Sequence, residues 1–199
     1  MINIKFRFIA AFTAAALLAT ACGGGSSSNN PPPNPDPDPD DGTGGITGTG
    51  VAVGPITGFS SVIVNGVTYD TSSATFTQDG VSATQSDFAV GQVVLVTGTI
   101  DDSTSGTADT VTFDDNVDGP VTSVDDVARS FIVLGQTVFV SATTSFDDSC
   151  PATLNELLEV AAVEVSGPVR ADGSIEASRI ECKAVAGELE VMGLVSNLN

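Results

Sequence analysis

The feature that most constrains the fold is an internal repeat. The segments Val62–Tyr69 (VIVNGVTY) and Phe131–Val140 (FIVLGQTVFV) each join two short β-branched or aromatic runs across a turn that contains glycine. The turn glycines, Gly66 and Gly135, are 69 positions apart, and the same spacing relates valines and glycines further along the chain. The sequence therefore predicts one β unit that occurs at least twice in tandem.

Each repeat has the same order of elements: a strand, a two-stranded hairpin, a short helix or loop, and two more strands. In the second repeat the segment Thr153–Glu159 (TLNELLE) predicts the short helix. Five strands with a helix between the third and the fourth have the connectivity of an OB-fold. We predict an all-β protein of two tandem, small, five-stranded OB-like barrels, over residues 54–116 and 117–186.

Residues 187–199 resemble the start of the second repeat and stop before a hairpin. This predicts a third, truncated repeat. The alternative is that this strand completes the edge of the second barrel or pairs with another copy of the chain.

Residues 1–22 have the features of an export signal. Lys5 and Arg7 precede an apolar run that begins at Phe8, and small residues lead up to Cys22. The uncharged run from Phe8 to Ala21 has 14 residues, whereas about 20 are needed to span a bilayer. A cleaved signal is therefore expected rather than a membrane-spanning helix.

The segment from Leu18 to Cys22 (LATAC) resembles the bacterial lipobox, although its leucine lies four residues before the cysteine instead of three. The resemblance implies that Cys22 is acylated, which anchors a protein to a membrane without a spanning helix. Gly23 follows the cysteine, and no aspartate marks inner-membrane retention. We expect a lipid anchor in the bacterial outer membrane, on its periplasmic or surface side. Ordinary cleavage and secretion is the alternative.

Residues 23–53 are rich in glycine, serine, proline and aspartate, which predicts a disordered tether. The net charge of the whole sequence is −19, and a field of that sign repels nucleic-acid phosphates. The chain has no histidine, so the commonest general base and metal ligand is missing. We therefore expect no catalytic activity, no cofactor and no nucleic-acid partner.

Cys150 and Cys182 both fall in the second repeat. An even pair in an oxidising compartment predicts a disulfide; free thiols, and metal or redox chemistry, are the alternatives. The spacing aligns Cys182 with Phe113, and Cys150 with a position at or beside Val81. An apolar contact between those two residues is the expected counterpart in the first repeat.

A weak calcium-loop pattern lies between the repeats. Asp114, Asn116 and Asp118 followed by glycine match the first half of a D-x-N-x-D-G loop, and Asp125 takes the twelfth position. The flanking sequences predict strands where an EF-hand has helices. An acidic turn between repeats is thus the favoured interpretation, and a calcium ion that stiffens the joint is the alternative.

The fourth strand of each barrel differs between the repeats on one face. The positions that match, and are therefore expected to face the core, are Val94 and Val96 in the first repeat and Val163 and Val165 in the second. The opposite face has Val93 and Leu95 in the first repeat but Ala162 and Glu164 in the second. We expect the outer face of the first barrel to pack on its neighbour or on a partner.

Taken together, the lipobox, the tether and tandem units with GxV, FxVxGxxV, VxVxG and AxxI motifs resemble a bacterial family of exported lipoproteins known as a domain of unknown function. The resemblance covers residues 54–186. It implies OB-like barrels in an exported protein and assigns no catalytic or binding residue. The expected function is a lipid-anchored, non-catalytic scaffold or protein-interaction module. A surface that binds a small ligand or oligosaccharide, stiffened by calcium, is the alternative.

Overall fold

The computed structural model describes residues 4–7 and 49–193. The expected lipidation site Cys22, most of the tether, the rest of the export signal and residues 194–199 lie outside the described residues. Within the described part of the chain, regular structure is almost entirely β-strand. No helix there is long and apolar enough to cross a membrane.

The first repeat contains seven strands, and five of them close a barrel. In chain order they are β2 (Thr49–Phe59), β3 (Val62–Val64), β4 (Val67–Asp70), β5 (Thr75–Gln78), β6 (Val81–Ala83), β7 (Val93–Ile100) and β8 (Ser105–Phe113). Antiparallel pairs β2–β3, β3–β4, β2–β7 and β7–β8 form an arc, and the parallel pair β4–β8 closes it. This ring has the strand order of an OB-fold, as predicted. The β5–β6 hairpin extends the sheet beyond β8.

The second repeat closes the same ring. Its strands are β9 (Val117–Gly119), β10 (Val121–Asp125), β11 (Ser130–Val133), β12 (Gln136–Phe146), β13 (Ala162–Ser166) and β14 (Ile175–Lys183). β9 and β10 together take the place of the single strand β2, and Pro120 lies between them. The parallel pair β12–β14 closes the barrel. The predicted fold class of two tandem OB-like barrels is confirmed.

Two further strands extend the sheet of the second repeat at one edge. β15 (Leu189–Met192) pairs antiparallel with β9, and β1 (Ile4–Arg7) pairs parallel with β15. The segment that resembles the start of a third unit thus lies against the second barrel.

The two central hairpins turn through glycine at equivalent positions. Asn65 and Gly66 both have positive φ angles, 52° and 81°, and Leu134 and Gly135 have 47° and 83°. Positive φ at both central residues defines a type I′ turn, whose twist matches that of the flanking strands. The glycines are therefore required by the turn, and the repeat seen in the sequence reflects a repeated hairpin geometry.

The predicted helix of the second repeat is a short 3₁₀ helix, Leu154–Glu159. Leu154 and Leu157 are its buried residues, and residues three apart lie on the same side of a 3₁₀ helix. The backbone N–H of Thr153 donates to the carboxylate of Glu156 at 3.0 Å, which fixes the first turn. The first repeat has a single 3₁₀ turn, Gln85–Asp87, at the corresponding place in the connectivity.

Each barrel has its own apolar core, formed by alternate residues of its strands. The four valines expected to face the core (Val94, Val96, Val163 and Val165) are all fully buried. In the first repeat Phe88 packs edge-on against both Phe76 and Phe113, with ring centroids 5.3 Å and 6.5 Å apart. The second core contains the Cys150–Cys182 disulfide, with Cα atoms 4.9 Å apart.

The contact expected between Val81 and Phe113 is absent, and that prediction is wrong. Val81 is 68% exposed, because it lies on the β5–β6 hairpin, which the sequence analysis did not predict. Phe88 occupies the space beside Phe113 instead. The first barrel therefore has an aromatic contact at Phe113, whereas the second has a disulfide at the aligned residue Cys182.

Direct contacts join the two barrels. The backbone N–H of Val93 donates to Ser166 Oγ at 2.7 Å, and Ser178 Oγ donates to the carbonyl of Gly91 at 2.6 Å. A Cβ atom on Gly91 would lie 2.7 Å from the carbonyl oxygen of Ser178. Glycine is thus needed there because the backbones of the two repeats approach so closely.

Candidate functional site

Four acidic residues form a row across four neighbouring strands of the second repeat. Glu190 on β15 lies opposite Asp118 on β9, Asp118 lies opposite Glu164 on β13, and Glu164 lies opposite Glu181 on β14. Like charges directly opposite each other destabilise a sheet. A row of this kind requires compensating positive charge.

Lys183 supplies part of that charge. Its Nζ lies 2.5 Å from Asp118 Oδ2 and 2.8 Å from Glu164 Oε2. Partial burial of the ammonium opposes its charge, but hydrogen bonds to both carboxylates raise the pKa of Lys183 above its ordinary value. Burial raises the pKa of Glu164, and Lys183 opposes that rise. One positive charge is thus shared between two buried carboxylates.

Arg179 neutralises the far end of the row. Its Nε donates to Glu181 Oε1 at 2.6 Å, and its Nη2 donates to Asp147 Oδ2 at 2.9 Å. Its Nη1 donates to the backbone carbonyl of Val90 in the first repeat at 3.3 Å. The guanidinium therefore both compensates the acidic row and joins the two barrels.

Asp115, in the link between β8 and β9, adds another carboxylate beside the row. It is only 3% exposed, and its backbone N–H donates to Asp79 Oδ1 of the first repeat at 3.3 Å. Burial, followed by the charges of Glu164, Asp79, Glu190 and Asp118, raises the pKa of Asp115 to about 8. The site thus contains carboxylates from both repeats and from the link between them.

Three of these carboxylates converge. One oxygen from each of Asp115, Asp118 and Glu164 lies within 4.8 Å of the other two. Asp115 Oδ1 and Asp118 Oδ1 are buried and have no hydrogen-bond partner. Burying a polar atom without a partner costs free energy. These three residues are therefore the ones in the described chain that could hold a metal ion.

The structure separates the four residues of the calcium-loop pattern. Asp118 joins the convergent carboxylates, whereas Asn116 Oδ1 accepts a hydrogen bond from the backbone N–H of Gly167 at 2.7 Å. Asp125 is exposed at the end of β10, where it accepts two backbone N–H groups of the following turn. Asp114 is half-buried and is not among the convergent three. The chain forms strands in this region, so its acidic side chains do not surround one ion position.

The pattern analysis missed Asp115 and Glu164 as site residues. Glu164 was placed correctly on the outer face of β13, but it is only 6% exposed there and pairs with Lys183. The alignment of the two repeats offered a signal for this pair. Glu164 aligns with Leu95, and Asp118 aligns with Val53. Both pairs are Cα partners in their own barrels.

The corresponding surface of the first barrel is apolar and exposed. Val51, Val53 and Leu95 are 69%, 60% and 38% exposed, and we call these three residues the apolar strip. Val93, the other residue expected on this face, is half-buried and contacts Ser166 through its backbone. The outer face of the first barrel is thus apolar and exposed at Leu95, and its packing on a partner stays a prediction.

A depression of about 490 Å³ lies at the second barrel between the β11–β12 hairpin and the loop before β14. Phe139 lines it, and the guanidinium of Arg170 lies over the Phe139 ring at 4.3 Å from the centroid. OB-folds bind ligands on their second and third strands and in the loops beside them. The depression occupies that place.

Two closed five-stranded barrels with OB strand order, joined in tandem, define a repeat protein of OB-like modules. Residues 52–112 and 118–181 each match the domain of unknown function DUF5666, and the chain belongs to this family. The match confirms the tandem resemblance found in the sequence motifs. No curated protein and no solved structure matches the chain.

Proposed function

We propose that this protein is a non-catalytic, lipid-anchored scaffold of the bacterial envelope, in which the first barrel presents the apolar strip to a protein partner. Cys22 carries the lipid, and residues 23–48, which precede β2, hold the barrels away from the membrane. The observation that carries the proposal is the exposure of the apolar strip, at positions where the second barrel has buried acids.

The geometry of the strip suits a docking surface. Val53 and Leu95 are Cα partners on adjacent antiparallel strands, and Val51 follows on the same face of β2. Contiguous exposed apolar residues on a soluble domain commonly mark interaction sites. Because the strip lies on a closed barrel, it is held in place without the partner.

The buried ionisable groups support a scaffold rather than an enzyme. Lys183 and Arg179 both form ion pairs at the joint, where they hold strands and barrels together. The strongly negative net charge of −19 adds electrostatic repulsion towards nucleic acids. The proposed partner is therefore a protein with an apolar surface.

The lipid anchor is tested by the intact mass of the protein from the membrane fraction, with Cys22→Ser as the control. We expect acylated wild-type protein in the membrane and an unlipidated, soluble variant. Reduction should add about 2 Da, the two hydrogens gained when one disulfide opens. A wild-type protein without lipid would refute the anchor and leave the barrels unaffected.

The docking surface is tested by cross-linking in intact cells that express Leu95→Glu or Val53→Glu. The matched control is Val127→Glu, because Val127 is 97% exposed on a turn of the second barrel. We expect a cross-linked complex that the two strip variants lose and the control keeps. Equal complexes in all variants, or none in the wild type, would refute the docking role. Light scattering of the purified chain distinguishes a second copy from another protein.

The depression beside Phe139 favours a second candidate function, the binding of a small ligand or oligosaccharide. Its volume of about 490 Å³ lies within the range of about 300–1,000 Å³ typical of ligand sites. Titration of an oligosaccharide panel, followed by NMR shifts of residues 135–139, tests this function. Binding that Arg170→Ala weakens would support it, and unchanged spectra across the panel would reject it.

A further inference from the structure

Two buried carboxylates at this site share one cation. Lys183 Nζ lies 2.5 Å from Asp118 Oδ2 and 2.8 Å from Glu164 Oε2. Asp115 is a third buried carboxyl, and it converges with these two. Carboxylate oxygens grouped in this way are the ligands that hard cations prefer.

Two oxygens at this site are buried without a partner. Asp115 and Asp118 are 3% and 7% exposed, and the Oδ1 atom of each has no hydrogen bond. Lys183 occupies Asp118 Oδ2 and Glu164 Oε2, so it leaves Asp118 Oδ1 available. Unsatisfied buried polar atoms are rare in native proteins, and an unplaced ion is one of their ordinary explanations.

The spacing of the donors fits one hard cation. Carboxylate oxygens are the ligands of Ca²⁺, at about 2.3–2.6 Å, so two oxygens on opposite sides of one ion lie about 5 Å apart. The oxygens of Asp115, Asp118 and Glu164 lie within 4.8 Å of one another. Mg²⁺ retains several waters and uses one or two carboxylates, whereas this site offers three buried ones. The donor set therefore suits calcium better than magnesium.

We propose that Asp115, Asp118 and Glu164 bind a calcium ion at the joint between the two repeats. The three ligands come from the link, from β9 and from β13, so the ion ties the link to the second barrel. The hydrogen bond from Asp115 to Asp79 extends this tie to the first barrel. Lys183 holds one oxygen of each of Asp118 and Glu164, Oδ2 and Oε2.

The test is calcium titration of the whole chain, freed of metal by a chelator, with binding measured by calorimetry. Extracellular calcium modules bind with Kd of about 10⁻⁴–10⁻³ M, so the titration extends to about 10 mM. We expect one calcium per chain and a higher melting temperature. Removing a residue that only orients a ligand costs about 10–100-fold in affinity, so Asp115→Asn or Glu164→Gln should weaken binding by at least about 100-fold.

The matched control is Asp125→Asn, which makes the same chemical change at an exposed residue of the calcium-loop pattern. It should bind calcium like the wild type. Circular dichroism spectra check that every variant is folded, and Glu164→Gln and Asp115→Asn test the site independently of each other. Three outcomes would overturn the proposal: no stoichiometric calcium binding, binding retained by both site variants, or magnesium bound more tightly than calcium.

Discussion

The two barrels share one strand order but differ at one pair of facing positions on the outer surface. The first barrel has Val53 opposite Leu95, exposed to solvent, and the second has Asp118 opposite Glu164, buried and bridged by Lys183. A side chain that points away from a core is free to be apolar, charged, exposed or covered. What surrounds the barrel, rather than the barrel itself, decides which of these is tolerated.

The disulfide gives the largest expected difference between the barrels, because only the second repeat has one. Cys150→Ser with Cys182→Ser should lower the free energy of unfolding by about 3–4 kcal/mol in the chain-entropy model, given the separation of 32 residues. Urea denaturation measures the loss. Hydrogen exchange should show faster exchange in the second barrel, with the first protected by its own aromatic core. A uniform increase in both barrels would mean that they unfold as one unit.

Lys183→Met tests the buried charges. The variant leaves Asp118 and Glu164 buried without their shared cation, and breaking such a pair should cost about 3 kcal/mol. The change is read from urea denaturation in a chelator-containing buffer. The control is Arg170→Met, whose partner Glu176 is 3.2 Å away but whose side chain is 40% exposed. Loss of that exposed pair should cost about 1 kcal/mol or less. Equal losses would show that burial adds nothing to the Lys183 pair.

Replacing the buried charges of the second barrel with apolar residues, as in the first barrel, tests whether the second barrel needs those charges. The triple variant Asp118→Val, Glu164→Leu and Lys183→Met replaces the buried ion pairs with apolar side chains. Such replacements are often neutral or stabilising. We therefore expect a free energy of unfolding within about 1 kcal/mol of the wild type, which is higher than that of Lys183→Met alone. The same denaturation experiment measures it. A loss larger than that of the single variant would show that the charges specify the structure of the joint.

The smallest effect is expected at the apolar strip. Leu95→Glu introduces the residue of the second barrel at a position that is already 38% exposed. Surface substitutions usually change stability by less than about 0.5 kcal/mol, which thermal denaturation can check. A large loss would mean that the strip is covered within the chain itself and does not face a partner.

Local patterns predicted most of the fold. The glycine turns, the alternation of buried valines and the order of strands identified two OB-like barrels, and the even pair of cysteines in the second repeat predicted the disulfide. The β5–β6 hairpin was missed, although Asp79 and Gly80 at its turn are a typical hairpin pair. Its strands have only four and three residues, and threonine, glutamine and serine make up more than half of them, so the apolar signal of a strand was weak.

The candidate site could be predicted only in part, because it depends on contacts between distant segments. Alternation along β13 placed Glu164 on the outer face, but it carried no information about what covers that face. Asp115 was overlooked because the calcium-loop pattern describes a compact loop and assigns no ligand to that position. The chain instead continues into β9, where the backbone N–H of Asn116 bonds to the carbonyl of Val165. The alignment of the repeats relates Asp118 and Glu164 to the facing pair Val53 and Leu95, but it does not place Asp115 beside them.

The pairing of β1 with β15 has a consequence for maturation. Residues 4–7 lie within the expected export signal, and they occupy the outer side of β15 along its whole length. If cleavage before Cys22 removes them, the N–H and C=O groups on that side of Leu189–Met192 lose their partners, and an unpaired strand edge can bind another strand. The precursor and the processed protein would then differ in their tendency to assemble, since processing itself would uncover a site for strand addition.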